Sequence, residues 1–163
     1  MNIPSVLLDF LHANNIPYEI IPHAKVFTAR MAAAAEGIER HHQTKVVMLS
    51  TPEGPVMAVL PADLKLDVRK VRGLIHEPVS LQTESEFAPV FPDCETGTMP
   101  PFGNLYGLPT YVDRHLTGED YIVFEAGTYT DAIKIRYSDY DRAVKPLVAD
   151  LALDHPEDWS TGS

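Results

Sequence analysis

The sequence predicts an α/β domain of the α+β kind, a mixed β-sheet flanked by helices. Three observations predict it. Short apolar runs of β character and helical stretches are interspersed without strict alternation, which argues against a doubly wound sheet. A length of 163 residues suits one domain. A composition of 45% hydrophobic and 22% charged residues supports a single buried core.

The elements follow in chain order. Residues 4–14 place Val6, Leu7, Phe10 and Leu11 on one helical face, with Pro4 and Ser5 at its start and Asn14-Asn15 and Pro17 at its end. Tyr18 to Ile21 reads as a short strand. Thr28 to Glu36 is an alanine-rich helix with Thr28 as N-cap and Gly37 as its stop; its short side chains leave room for a close approach. Lys45–Ser50 and Val56–Leu60 are β-type runs around the turn Thr51-Pro52-Glu53-Gly54-Pro55, hence a central hairpin. Residues 66–76 fit a helix with a basic face at Arg69, Lys70 and Arg72, followed by a strand at Val79–Leu81 and a short helix at 83–88. Residues 89–109 are dense in Pro and Gly but hold Phe91, Met99, Phe102, Leu105 and Tyr106, the mark of an ordered, functional loop. Three more strands are expected at Tyr111–Asp113, Tyr121–Phe124 and Ala132–Ile135. A terminal helix is expected at 138–151, capped by Ser138 or Asp139. Residues 1–150 are read as the single domain and 151–163 as an acidic, loosely held tail.

Composition narrows the function classes. One cysteine, Cys94, forms neither an internal disulfide nor a thiolate zinc site. The N-terminal stretch lacks a basic region before its apolar residues, and no apolar run approaches the ~20 residues that span a bilayer. A cytoplasmic location without membrane contact is the expectation. Formal charge is −10, with four acids and no Lys or Arg in 150–163, so residues 1–149 carry −6 (−10 less −4). A nucleic-acid partner would then need a local basic patch. Neither a GxGxxG fingerprint nor a P-loop is present, so no nucleotide cofactor is expected.

Four groups of residues are candidates for chemistry. Lys45 opens an apolar strand; it reads either as a lysine snorkelling from a strand end or as a cation that binds phosphate or polarises a carbonyl. Gly97-Thr98-Met99-Pro100-Pro101-Phe102-Gly103 reads either as a structural turn or as a stiff loop whose Gly97, Thr98 and Met99 amides form an oxyanion hole. His23, His41 and His42 lack ligand spacing, so no metal is expected. Cys94 lies between Asp93 and Glu95, which oppose thiolate formation, and no GxSxG elbow exists.

Taken in order, these motifs resemble the YbaK/prolyl-tRNA editing superfamily over roughly residues 16–148. The resemblance rests on His23, Thr28-Ala29 with the alanine-rich helix, Thr44-Lys45-Val46-Val47, and the run from Ala58 to Asp63. It continues with the GxxxP loop from Gly97 to Pro101, then Phe102-Gly103, and the final VFEAG, AIKI and DYDRAV segments. It implies a partly barrel-like sheet and a metal-independent aminoacyl-tRNA deacylase that removes a mischarged small amino acid from the tRNA acceptor end. It further implies that Lys45 holds the terminal phosphate, ribose or ester, and that Gly97, Thr98 and Met99 present donors to the ester carbonyl. Ala29 and Ala32 would floor a pocket that selects by volume. His23, Thr28, Pro101, Phe102, Gly127 and Tyr129 would line the substrate site. Many members carry a histidine in the turn where this chain has Gly127-Thr128-Tyr129-Thr130, and tyrosine is a poor base near neutral pH. Two alternatives stand beside the deacylase: a non-catalytic binding module of the same fold, and a hydrolase of other small esters or thioesters. Candidate basic rims are Arg30, Arg40, His41, His42 and Lys45, and the group Lys65, Arg69, Lys70 and Arg72.

Overall fold

A computed structural model describes residues 2–24 and 42–154 of the chain. Its elements are α1 (Ser5–Ala13), β1 (Glu19–Pro22), β2 (Thr44–Thr51), β3 (Gly54–Pro61), α2 (Val68–Ile75), β4 (Ser80–Leu81), α3 (Glu84–Phe87), β5 (Thr110–Asp113), β6 (Tyr121–Glu125), β7 (Asp131–Arg136), α4 (Tyr137–Val144) and β8 (Leu147–Ala149). Short 3-10 turns cover Ala88–Val90, Gly103–Tyr106 and Arg114–Gly118. The alanine-rich segment at Thr28–Glu36 lies outside the described residues.

The strands form two sheets. The larger has the order β4-β2-β3-β5-β8 and the smaller β1-β7-β6. The expected hairpin forms with Thr51 opposite Gly54, and the Thr51 hydroxyl closes the turn on the Gly54 carbonyl at 2.8 Å. β5 lies parallel to β3, and β8 parallel to β5, so the larger sheet is mixed. The sheets meet at a seam where Gln43 bridges Val123 in parallel and the Val123 amide donates to the His42 carbonyl at 2.9 Å. The result is curled rather than closed.

Strand alternation assigns each face. Met48, Met57, Val59, Val112, Ile122, Phe124, Ile133 and Ile135 enclose the main core, which α1 fills with Leu7 and Leu11 and α4 with Tyr140. On the opposite face of the larger sheet, Leu49, Val56 and Ala58 pack with Val71 of α2 and with Leu151. α2 starts at Asp67, whose carboxylate accepts from the Arg69 amide at 3.0 Å, an ordinary acidic N-cap.

Two expectations at the C-terminal end need correction. The terminal helix stops at Val144 rather than 151. Lys145, which precedes Pro146, is expelled from the right-handed region to φ 52°, and the chain then re-enters the sheet as β8. The tail expected from 151 onward is not loose over 151–154. Leu151 is 0% exposed, its amide donates to Asp113 Oδ1 at 2.9 Å, and Ala152 bridges Leu66. Lys70 fastens this stretch through Asp150, Asp154 and the Ala152 carbonyl, the last at 2.6 Å. Residues 155–163 lie outside the described residues.

Candidate functional site

The loop from Glu95 to Phe102 is held from two sides. From the core side, Phe102 is 0% exposed and meets Phe10, Phe124 and Tyr140 edge-on at centroid distances of 5.8, 5.3 and 5.4 Å. The Tyr140 hydroxyl donates to the Pro101 carbonyl at 2.6 Å. From the other side the loop docks on the turn between β6 and β7. The Glu95 amide donates to the Gly127 carbonyl at 2.9 Å, and the Gly127 amide donates to the Thr98 carbonyl at 2.8 Å. The Tyr129 amide donates to Glu95 Oε2 at 2.6 Å, and the Tyr129 hydroxyl to the Thr96 carbonyl at 2.7 Å.

Glycine is required at both ends of this docking. Gly97 has φ 85° and Gly127 φ 86°, the left-handed region that side chains resist. At Gly127 a Cβ would also lie 2.5 Å from Pro4 Cδ.

The three amides expected to act together are not equivalent. The Thr98 N–H is spent on the Glu95 carbonyl at 3.0 Å, and its hydroxyl donates to the same oxygen at 2.6 Å. Thr98 therefore shapes the loop and offers no outward amide. Gly97 and Met99 donate to no partner among the described residues. Phe102, expected to line the substrate site, is instead a core anchor with no surface to offer, and Pro101 is buried with its carbonyl engaged.

Next to the turn between β6 and β7 lies a polar node that spans both sheets. His23, with its side chain fully buried, places Nε2 2.9 Å from Glu125 Oε1 and Nδ1 2.7 Å from the Ala24 carbonyl. Gln43, 0% exposed, places Nε2 3.4 Å from Glu125 Oε2. Lys45 is half-buried opposite Leu60, and alternation along β2 puts it on the same face as Gln43. Glu125 precedes Gly127 by two residues, and Gly127 is bonded to Thr98. His23 and Gln43 thus hold Glu125, from which the chain runs into the turn that bonds the loop. Thr28, Ala29 and Ala32, along with Arg30, Arg40 and His41, lie outside the described residues.

Electrostatics separates structural groups from candidate chemical ones. Burial, together with Asp93, pushes the Cys94 thiol up to about 12, against a lowering contribution from Tyr106, which keeps it in the protonated form near neutral pH. Burial first, then the Glu95 and Glu84 charges, raise the Tyr129 phenol, which already donates to Thr96. The second basic rim is largely neutralised: Arg69 pairs with Asp67 at 3.2 Å, Lys70 with Asp150 at 3.0 Å, and Arg72 Nε donates to the Val79 carbonyl at 3.1 Å. His42 stacks on Tyr121 at 4.2 Å and lies 3.0 Å from Glu119. Among the described residues no group of three or more His, Cys, Asp or Glu side chains is arranged to hold a metal ion, and no helix is long and apolar enough to cross a membrane.

Glu95, Gln43 and Glu125, which make these contacts, are not picked out by the sequence. The only local signal was a glutamate three residues before Thr98, the spacing of a side-chain-closed turn.

The model of the aminoacyl-tRNA editing domain family matches residues 23–143. No curated protein matches the chain significantly. A crystal structure described as a candidate trans-editing enzyme for prolyl tRNA synthetase aligns with TM-score 0.79 at 23% identity, over 92% of this chain and 96% of that one. A structure of a hypothetical protein aligns with TM-score 0.83 at 19% identity, over 91% and 99% of the two chains. A candidate signal transduction protein from Marinobacter aquaeolei VT8 aligns with TM-score 0.75 at 20% identity, over 94% of this chain but 31% of its own length. These likenesses show a common fold.

Proposed function

The chain belongs to the aminoacyl-tRNA editing domain family, and from that premise we propose that it hydrolyses the ester linking a mischarged small amino acid to the end of a tRNA. The observation that carries this reading is the pinned 97–101 loop, whose Gly97 and Met99 amides have no partner among the described residues. Water attacks the ester carbonyl carbon, and the negative charge that develops on the carbonyl oxygen is met by those fixed donors. The bond to the terminal ribose oxygen breaks, and that oxygen takes the proton lost by the water. The products are a free amino acid and a tRNA with a free terminal hydroxyl. Lys45 holds the terminal phosphate or ribose, or the ester itself. Ala29 and Ala32 restrict the pocket to small side chains. The step is metal-independent, because fixed amides supply the charge stabilisation; one such donor is worth ~3–4 kcal/mol of barrier.

The test is a deacylation panel of Ala-, Ser- and Cys-tRNA. Wild type is expected to release amino acid well above background, equally with and without EDTA. Lys45→Ala is expected to lower kcat/KM on the order of 10²-fold, the scale of losing one transition-state contact. Wild-type rates in Lys45→Ala would sink the mechanism.

A second reading, a binding module without turnover, is favoured by one observation. The turn Gly127-Thr128-Tyr129-Thr130 holds no histidine, and the Tyr129 hydroxyl is committed to the Thr96 carbonyl. No turnover on tRNA or on simple esters, with an aminoacyl analogue still bound, would select it.

A further inference from the structure

We propose that Glu95 is the positioning residue that keeps the 97–101 loop in its donor-presenting shape, clamping it to the β6–β7 turn through Tyr129. The meaning of the loop rests on the deacylase reading; the clamp itself does not. Glu95 is tied to the loop and the turn through its amide, its carbonyl and its carboxylate. Its amide donates to the Gly127 carbonyl at 2.9 Å, and its carbonyl accepts both the amide and the hydroxyl of Thr98, at 3.0 and 2.6 Å. Its carboxylate accepts the Tyr129 amide at 2.6 Å, a charge-assisted contact at the short end of the range. The turn is a firm anchor. Gly127 lies against Pro4, and the Thr128 hydroxyl donates to Asp131 Oδ2 at 2.8 Å.

Removing the carboxylate leaves the Tyr129 amide without its acceptor and frees one edge of the loop. The adjoining Gly97 and Met99 amides then lose their fixed placement. Donors placed in advance are effective because they do not move during the reaction, and a displacement of about 1 Å can cost on the order of 10²-fold in rate. Glu95 touches no reacting atom in this scheme; it acts through the loop. The Tyr129 hydroxyl on the Thr96 carbonyl is a second, weaker tie.

The experiment uses the full chain with Glu95→Ala, Glu95→Gln and Glu95→Asp. Glutamine keeps an acceptor oxygen in place, and aspartate withdraws it by one methylene. Amide hydrogen exchange is measured at Thr98, Gly127 and Tyr129 and across the β2–β3 hairpin, alongside kcat and KM for deacylation. Glu95→Ala is expected to speed exchange at those three amides at least about tenfold while the hairpin is unchanged, the signature of local opening. Its kcat should fall on the order of 10²-fold, with KM held within about twofold, as for an interaction made only in the transition state. Glu95→Gln should recover most of both. If Glu95→Ala does not fold, Glu95→Asp is expected to show the same directions.

Unchanged exchange in Glu95→Ala or Glu95→Asp overturns the clamp, whatever the activity. Faster exchange with unchanged kcat overturns the positioning role. So does an equal rise of exchange across the hairpin, which would mark general destabilisation. If wild type deacylates nothing in the panel, the deacylase reading falls, and the exchange rates alone decide the clamp.

Discussion

Gly97 and Cys94 sit three residues apart and answer to different physics. Gly97 holds φ 85° in open space, so a methyl group there meets no neighbour and only backbone strain. Gly97→Ala is expected to cost about 1 kcal/mol or somewhat more in a urea titration, while kcat falls further because the amide is displaced. A kcat that tracked stability alone would count against a donor role for this loop. Cys94 is a buried thiol whose protonated form is favoured in the folded chain up to about 12, against an ordinary value of 9.0. The unfolded thiol therefore ionises first. The contribution of this group is complete below pH 9 and is lost as pH rises toward 12. Stability measured from pH 8 to 11 should decline less steeply in Cys94→Ala than in wild type, and alkylation by iodoacetamide at pH 8 should be far slower on the folded chain than on the unfolded one.

At the scale of elements, Leu151 tests the redrawn C-terminal region. Leu151→Ala is expected to destabilise by about 2–5 kcal/mol, the range for a large-to-small change in a core; a shift near zero would return residues 151–154 to the status of a tail. What the sequence made legible was whatever is encoded locally. Period-3.6 spacing finds α1, apolar runs around Thr51–Pro55 find the hairpin, and Phe91, Met99, Phe102, Leu105 and Tyr106 mark 89–109 as an ordered loop. The end of α4 was also legible, since Lys145 precedes Pro146 and that pair disfavours helix; the apolar Leu147-Val148 run obscured it. The parallel pairing of β8 with β5 was not legible, because its partner lies some thirty-five residues back in sequence and nothing local specifies it. The site divided in the same way. Gly97 and Gly127 are visible as glycines, whereas the choice among the Gly97, Thr98 and Met99 amides depends on where the Glu95 carbonyl sits, a fact of the folded loop. The family resemblance puts Phe102 in the site, but three aromatic neighbours from distant elements pack it into the core.

The whole molecule carries −10, and its described basic residues are mostly engaged, Lys70 with Asp150 and Asp154 and Arg69 with Asp67. A partner bearing phosphates would then be gripped at few points. Binding of aminoacyl-tRNA is expected to weaken only gently with salt, with a logarithmic slope shallower than about −2, since each neutralised phosphate on a single strand contributes roughly 0.7. A steep slope would mean that a broad cationic surface exists elsewhere on the chain.

The seam between the two sheets has one further consequence. Among the described residues, the backbones of the two sheets join at Gln43 and Val123, with the Val123 amide resting on His42. Elsewhere the two sheets are held together by side chains packed in the main core. A molecule that touched Lys45 on one side and the loop borne by the other would act as a staple across the seam, and its arrival should be readable as a slowing of deuterium uptake at Val123, a residue it never meets.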